Sequence, residues 1–213
     1  MTMPIDRTAS RLRSRPRLLV AVLAFLLLAG CAARTARTEP PNVDPKWSPY
    51  SYVEDGNLVT FLVSTRSARY RNDRAYLPFQ VALLNKGLKS LTLTRESFTL
   101  VDAGGKRYPL AGRDELVKGY GNTDIDRRFG EIDVILRNKF ARYDRVPSNF
   151  SPGFDAGIAV DHVSIPRFSY ILDFLYFPRP EGRLEGATLE LDLNAPELPD
   201  PVYVRFTVDP MEK

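Results

Sequence analysis

Cysteine and histidine occur once each in these 213 residues, as Cys31 and His162, and tryptophan once, as Trp47. One cysteine closes no internal disulfide, and one Cys with one His falls short of the ligand set of a structural zinc site. Neither a metal nor another cofactor is expected, and stability has to come from a hydrophobic core. Long apolar runs are also missing. Leu18–Leu28 holds 11 apolar residues, fewer than the roughly 17–25 that a spanning helix needs. Surplus charge is absent where it would matter. The net +4 of the whole chain is matched by residues 1–30 alone, with five arginines (Arg7, Arg11, Arg13, Arg15, Arg17) against Asp6. The rest is close to neutral, which gives no reason to expect a nucleic-acid partner.

What is present begins with a secretory pattern. The arginines of residues 7–17, the apolar run, and then small residues read as an export signal. Its end, Leu28-Ala29-Gly30-Cys31, resembles the lipobox of bacterial lipoproteins. That resemblance implies cleavage before Cys31, acylation of its thiol, and attachment to a membrane. Ala32 in the next position resembles a protein sent on to the outer membrane, with its domain facing the periplasm. Residues 31–46, rich in proline and carrying Val43 as their one large apolar residue, form a lipidated tether. Trp47, Tyr50 and Tyr52 mark the start of the packed domain, residues 47–213.

This domain reads as mainly β. Val59, Phe61 and Val63 alternate with Thr60, Leu62 and Ser64, and Leu77, Phe79, Val81 and Leu83 repeat the pattern up to the turn Asn85-Lys86-Gly87. Phe98 and Leu100 lead into a hairpin turn at Asp102–Lys106, then Tyr108 and Leu110. Tyr170–Phe177 is a nearly continuous apolar run interrupted by Asp173. Leu189, Leu191 and Leu193, then Val202, Val204, Phe206 and Val208, complete about 7–8 strands of an antiparallel β-sandwich. One segment departs from it. Ile125, Phe129, Ile132, Leu136, Phe140 and Tyr143 fall at helical spacing, with Thr123 or Asp124 to cap the start and Arg137, Lys139 and Arg142 near the end. The spacing predicts one amphipathic helix in an insert at about 112–150, with Gly130 as its weak point.

The stretch Leu77-Pro78-Phe79-Gln80-Val81-Ala82-Leu83-Leu84-Asn85-Lys86-Gly87, then Leu91-Thr92-Leu93, then Ser97–Asp102 with Gly105-Lys106-Arg107-Tyr108-Pro109, resembles the first half of bacterial immunoglobulin-like lipoprotein domains of the DUF4352 kind. Ser151-Pro152-Gly153 with Gly157 is similar to a later turn of those domains. The resemblance implies an immunoglobulin-like sandwich in an exported module that binds or scaffolds, with no shared catalytic residues.

Candidate chemistry is sparse. His162 follows Asp161 and precedes Ser164, but adjacency in sequence does not make a triad, and no glycines flank Ser164 as in a nucleophile elbow. Asp124, Asp126, Glu131 and Asp133 surround the helix start, where acids favour the dipole; no calcium-loop register fits them. Gly104-Gly105 is a turn rather than a phosphate loop. Carboxylates from distant strands could still form a glycosidase pair. The most unusual surface feature is the run containing Arg66, Arg69, Tyr70, Arg71 and Arg74. It is either a solvated loop paired with nearby acids or a contact for an anionic envelope component or an envelope protein. The expected function is a membrane-anchored, non-enzymatic binding or assembly module of the bacterial envelope. The alternative is a periplasmic hydrolase acting on glycan or ester bonds.

Overall fold

The computed structural model describes residues 45–121, 123–151 and 160–209. The signal, the lipobox residues Leu28, Ala29, Gly30 and Cys31, most of the tether, and the Pro152–Gly157 turn lie outside them.

Eleven strands form three sheets among the described residues. β1 (Ser51–Asp55), β2 (Val59–Ser64), β3 (Tyr76–Asn85), β9 (Ser169–Pro178) and β7 (Asp144–Arg145) lie side by side in that order. β11 (Val202–Thr207), β10 (Thr188–Leu193), β5 (Phe98–Val101) and β6 (Arg107–Pro109) make the second sheet. β4 (Ser90–Thr94) pairs with β8 (His162–Pro166) in a separate ribbon. All pairings are antiparallel except β7 with β9. This is the mainly-β, sandwich-like architecture that the alternation predicts. The strand count exceeds 7–8 because short pieces, such as the two-residue β7, carry too little sequence pattern to be seen.

The two large sheets meet over alternate residues. Phe61, Val63, Leu77, Phe79, Val81 and Leu83 share one buried cluster with Phe98, Leu100, Ile171, Leu175, Phe177, Leu191 and Phe206. Phe79 packs on Phe206 at 5.0 Å and on Phe177 at 6.2 Å between ring centroids. Removing one such ring would cost about 3–5 kcal/mol.

The opposite face of the first sheet is covered too, which is why β9 reads as a nearly continuous apolar run. The insert covers it, as three short helices rather than the single one expected. α2 (Arg113–Gly119) contributes Leu116 and its cap Tyr120 to a cluster with Ala111 and Tyr176. α4 (Ile132–Lys139) lays Ile132, Ile135 and Leu136 on Leu62, Ala82, Leu84 and Leu172. α3 (Asp124–Arg128) lies between them in sequence. The helical stripe breaks at Phe129-Gly130-Glu131 for a local reason. A side chain at position 130 would sit 2.7 Å from Gln80 Nε2. Gln80 Oε1 in turn accepts the otherwise unpaired N–H groups of Glu131 (2.8 Å) and Ile132 (3.0 Å), so β3 starts α4 anew.

Candidate functional site

The helices and the strand edge enclose a space they do not fill. β9 pairs with β7 through Ser169 and Tyr170, the Val146 N–H still donates to the Tyr170 carbonyl at 2.8 Å, and beyond it the regular ladder ends. Arg95 holds the segment that follows inward by donating to the carbonyls of Phe150, Leu110 and Ala111. A cavity of about 480 Å³ results, floored by Leu172, Phe174 and Tyr176 of β9 and walled by Thr123, Arg127 and Asp133 of the insert. Arg145, Ser148, Asn149 and Ser151 close its other side.

Its lining is mixed in a specific way. Arg127 and Arg145 are exposed, and neither makes an ion pair among the described residues. Arg145 reaches only the Leu172 carbonyl, at 3.5 Å. The Ser151 hydroxyl is buried without a hydrogen-bond partner among those residues. Asp173 is buried, and its two oxygens accept the N–H groups of Phe150 (3.0 Å) and Phe174 (2.8 Å). Loss of hydration pushes its carboxyl up to about 6, although both backbone donors pull the other way.

Beside the cavity, and sharing Tyr176 with its lining, is a buried polar cluster. Asp126 is fully buried; its Oδ1 accepts Arg71 Nε at 3.0 Å, and its Oδ2 accepts the hydroxyls of Tyr120 (2.8 Å) and Tyr176 (3.1 Å). Burial raises the Asp126 carboxyl above its ordinary value, and the three donors limit that rise. Burial and the nearby Asp126 charge push both phenols well above the usual tyrosine range, so both remain donors.

This cluster alters the reading of the arginine run. Arg66–Tyr70 forms a short helix, α1, which turns Arg71 inward to Asp126. Arg69 donates to the Tyr52 hydroxyl at 3.0 Å and to the Thr207 carbonyl at 3.2 Å. Tyr70 is exposed and stacks on Phe129 at 4.2 Å, Arg74 faces solvent beside Asp73, and Arg66 is half-buried near Tyr50 and Phe129. Arg66, Tyr70 and Arg74 thus keep an outward aspect, whereas Arg69 and Arg71 serve the fold. Asp126 does lie in the first turn of a helix, as its place at the helix start suggested, but it is buried there and paired with Arg71. The buried clasp needs partners from α1, α2 and β9, which sequence spacing does not reveal.

The remaining candidates lie elsewhere. His162 is exposed on β8 opposite Thr94, and the Ser164 hydroxyl is engaged with Ser90 at 2.6 Å. On β10, Glu190 and Asp192 are held by Arg205 (2.8 Å) and Arg107 (3.0 Å). Among the described residues no three His, Cys, Asp or Glu side chains are grouped to hold a metal, and no helix is long and apolar enough to cross a membrane. The cavity was missed in sequence because its walls come from five separated segments. The one legible sign was Asp173 interrupting an apolar strand.

No family model and no curated protein matches the chain. Among solved structures it is similar to the yjhA protein of Bacillus subtilis (10% identity, 74% of this chain and 96% of that one, TM-score 0.40). It is also similar to a candidate lipoprotein of the same organism, ycdA (13% identity, TM-score 0.38), covering 79% of this chain and 39% of that protein's length. A DUF4426 family protein of Pseudomonas aeruginosa shares 12% identity over 76% of this chain and 97% of its own, with a TM-score of 0.32.

Proposed function

We propose that this chain is a lipid-anchored module of the bacterial envelope, tethered through Cys31, whose domain binds an anionic envelope component in the cavity between the insert and β9. The observation that carries the reading is the pair Arg127 and Arg145, two exposed cations on one cavity that form no ion pair among the described residues, with Asp173 the buried carboxyl that feels the Arg127 charge. Arginine forks suit phosphate and carboxylate groups, and the apolar floor suits the body of a ligand. The exposed Tyr70 and Arg74, with the half-buried Arg66, belong to the same module as a second surface open to an envelope protein. Calorimetric titration of the full chain in detergent with inorganic phosphate and with glycerol 3-phosphate tests the cavity. Heat of binding that disappears in Arg127→Ala/Arg145→Ala supports it; no binding by the wild type, or equal binding by the variant, contradicts it.

A second reading, hydrolysis of a glycan or ester bond, draws on one observation. Asp173 borders the cavity with a carboxyl near about 6, in the range of a general acid or base. Turnover of such a substrate that Asp173→Asn abolishes would favour it over binding alone.

A further inference from the structure

An aromatic ridge, outside the lining of the cavity, begins where the tether meets the domain. Trp47, Phe140, Tyr143 and Phe168 touch in succession, with ring centroids 5.8, 5.5 and 5.9 Å apart. Phe140 and Tyr143 rest on the outer-face core, whereas Trp47 and Phe168 are 37% and 51% exposed. These two end residues are also the only non-glycine residues with positive φ among those described, at 73° and 59°. A bulky side chain is disfavoured there, and Gly or Asn would fit with less strain. Strain held at exposed rings that add little to the core points to a use outside the fold.

Cations accompany the rings. Lys139 Nζ lies 4.8 Å from the Trp47 ring, and the Arg167 guanidinium 4.8 Å from Phe168. Between 137 and 145 the chain carries Arg137, Lys139, Arg142 and Arg145 against Asp144 alone, and Lys46 precedes Trp47. Aromatic rings flanked by lysine and arginine match the headgroup region of a bilayer, where ring bodies enter and cations meet lipid phosphates.

We infer that this ridge docks on an anionic lipid surface, with Trp47 and Phe168 entering the headgroup layer and Lys139, Arg142 and Arg167 at its phosphates. The inference rests on the lipid-anchored reading, since the tether enters the domain at Trp47. Docking there fixes the orientation of the domain on the lipid surface. It also brings Arg145, two residues after Tyr143, toward the surface together with the cavity it lines.

Trp47 is the sole tryptophan, so its emission reports on the ridge alone. The full chain, reconstituted in vesicles of phosphatidylethanolamine and phosphatidylglycerol with or without brominated acyl chains, is compared with Phe168→Asn and Lys139→Glu/Arg167→Glu. The expected result is blue-shifted emission quenched by brominated lipid. Quenching weakens in phosphatidylcholine vesicles and in both variants, while Phe168→Asn unfolds thermally no earlier than wild type. Flotation and the mass of the Cys31 peptide report separately on the anchor. A chain that floats while Trp47 stays unquenched overturns the ridge and leaves the anchor standing. An unacylated chain overturns the anchor; Trp47 quenching on its mixing with vesicles still supports the ridge, and its absence overturns that too. A Trp47 shift that follows protein concentration without lipid assigns the ridge to a second copy and overturns lipid docking.

Discussion

Asp173 interrupts the apolar and aromatic run Tyr170–Phe177, and the fold treats it accordingly: its carboxyl is buried and receives two backbone N–H groups. Its proton is held more tightly in the folded chain than in the unfolded one. The stability it contributes is therefore complete below the ordinary value of 3.8 and is lost as the pH rises through about 6. That elevation corresponds to about 3 kcal/mol. Other carboxylates, such as Asp55 and Asp102, are shifted downward and act in the opposite sense, so the prediction concerns a difference. Denaturant unfolding of wild type and Asp173→Asn between pH 3 and 8 should show the wild type losing about 3 kcal/mol relative to the variant as pH rises. Parallel curves would mean that Asp173 is hydrated. The sequence exposed this residue as an interruption of its strand. It did not expose the dehydration, because Phe150 is distant along the chain and supplies a backbone donor, which leaves no residue-type signature.

Between elements, the Arg71–Asp126 pair ties α1 to α3, and the Tyr120 and Tyr176 hydroxyls extend the tie to α2 and β9. Removing one partner leaves the other charge buried and unmatched. Arg71→Ala should lower the unfolding free energy by about 3–5 kcal/mol. Arg74→Ala, from the same run but exposed, should change it by less than about 0.5 kcal/mol. Chemical denaturation distinguishes them, and equal effects would contradict the burial assigned to Arg71. Periodicity found the insert and much of its apolar stripe, since Ile132 and Leu136 do face the sheet. It joined two helices into one because the break depends on Gln80, which reads only as an ordinary strand residue. Asn85 shows the same limit. It was legible as a turn signal, yet its buried amide also donates to the Ile165 carbonyl at 2.9 Å and so ties the turn to β8.

At the scale of the molecule, alternation in β2, β3, β5, β10 and β11 was enough to give the sandwich, because a face packed against a second sheet leaves a period of two in the sequence. The third layer was less legible, since a strand buried on both faces loses its period and says nothing about what covers it. The cavity belongs to that layer and inherits the same obscurity. This space, rather than the arginine run as a whole, is what we propose receives an envelope ligand. The most direct test places a photoreactive residue at Asn149 in the full chain and irradiates living cells, with a second probe at exposed Glu185, which does not line the cavity. One adduct of fixed mass is expected at position 149, absent at 185 and lost with Arg127→Ala/Arg145→Ala. Equal labelling at both positions, or an adduct indifferent to the two arginines, would contradict it.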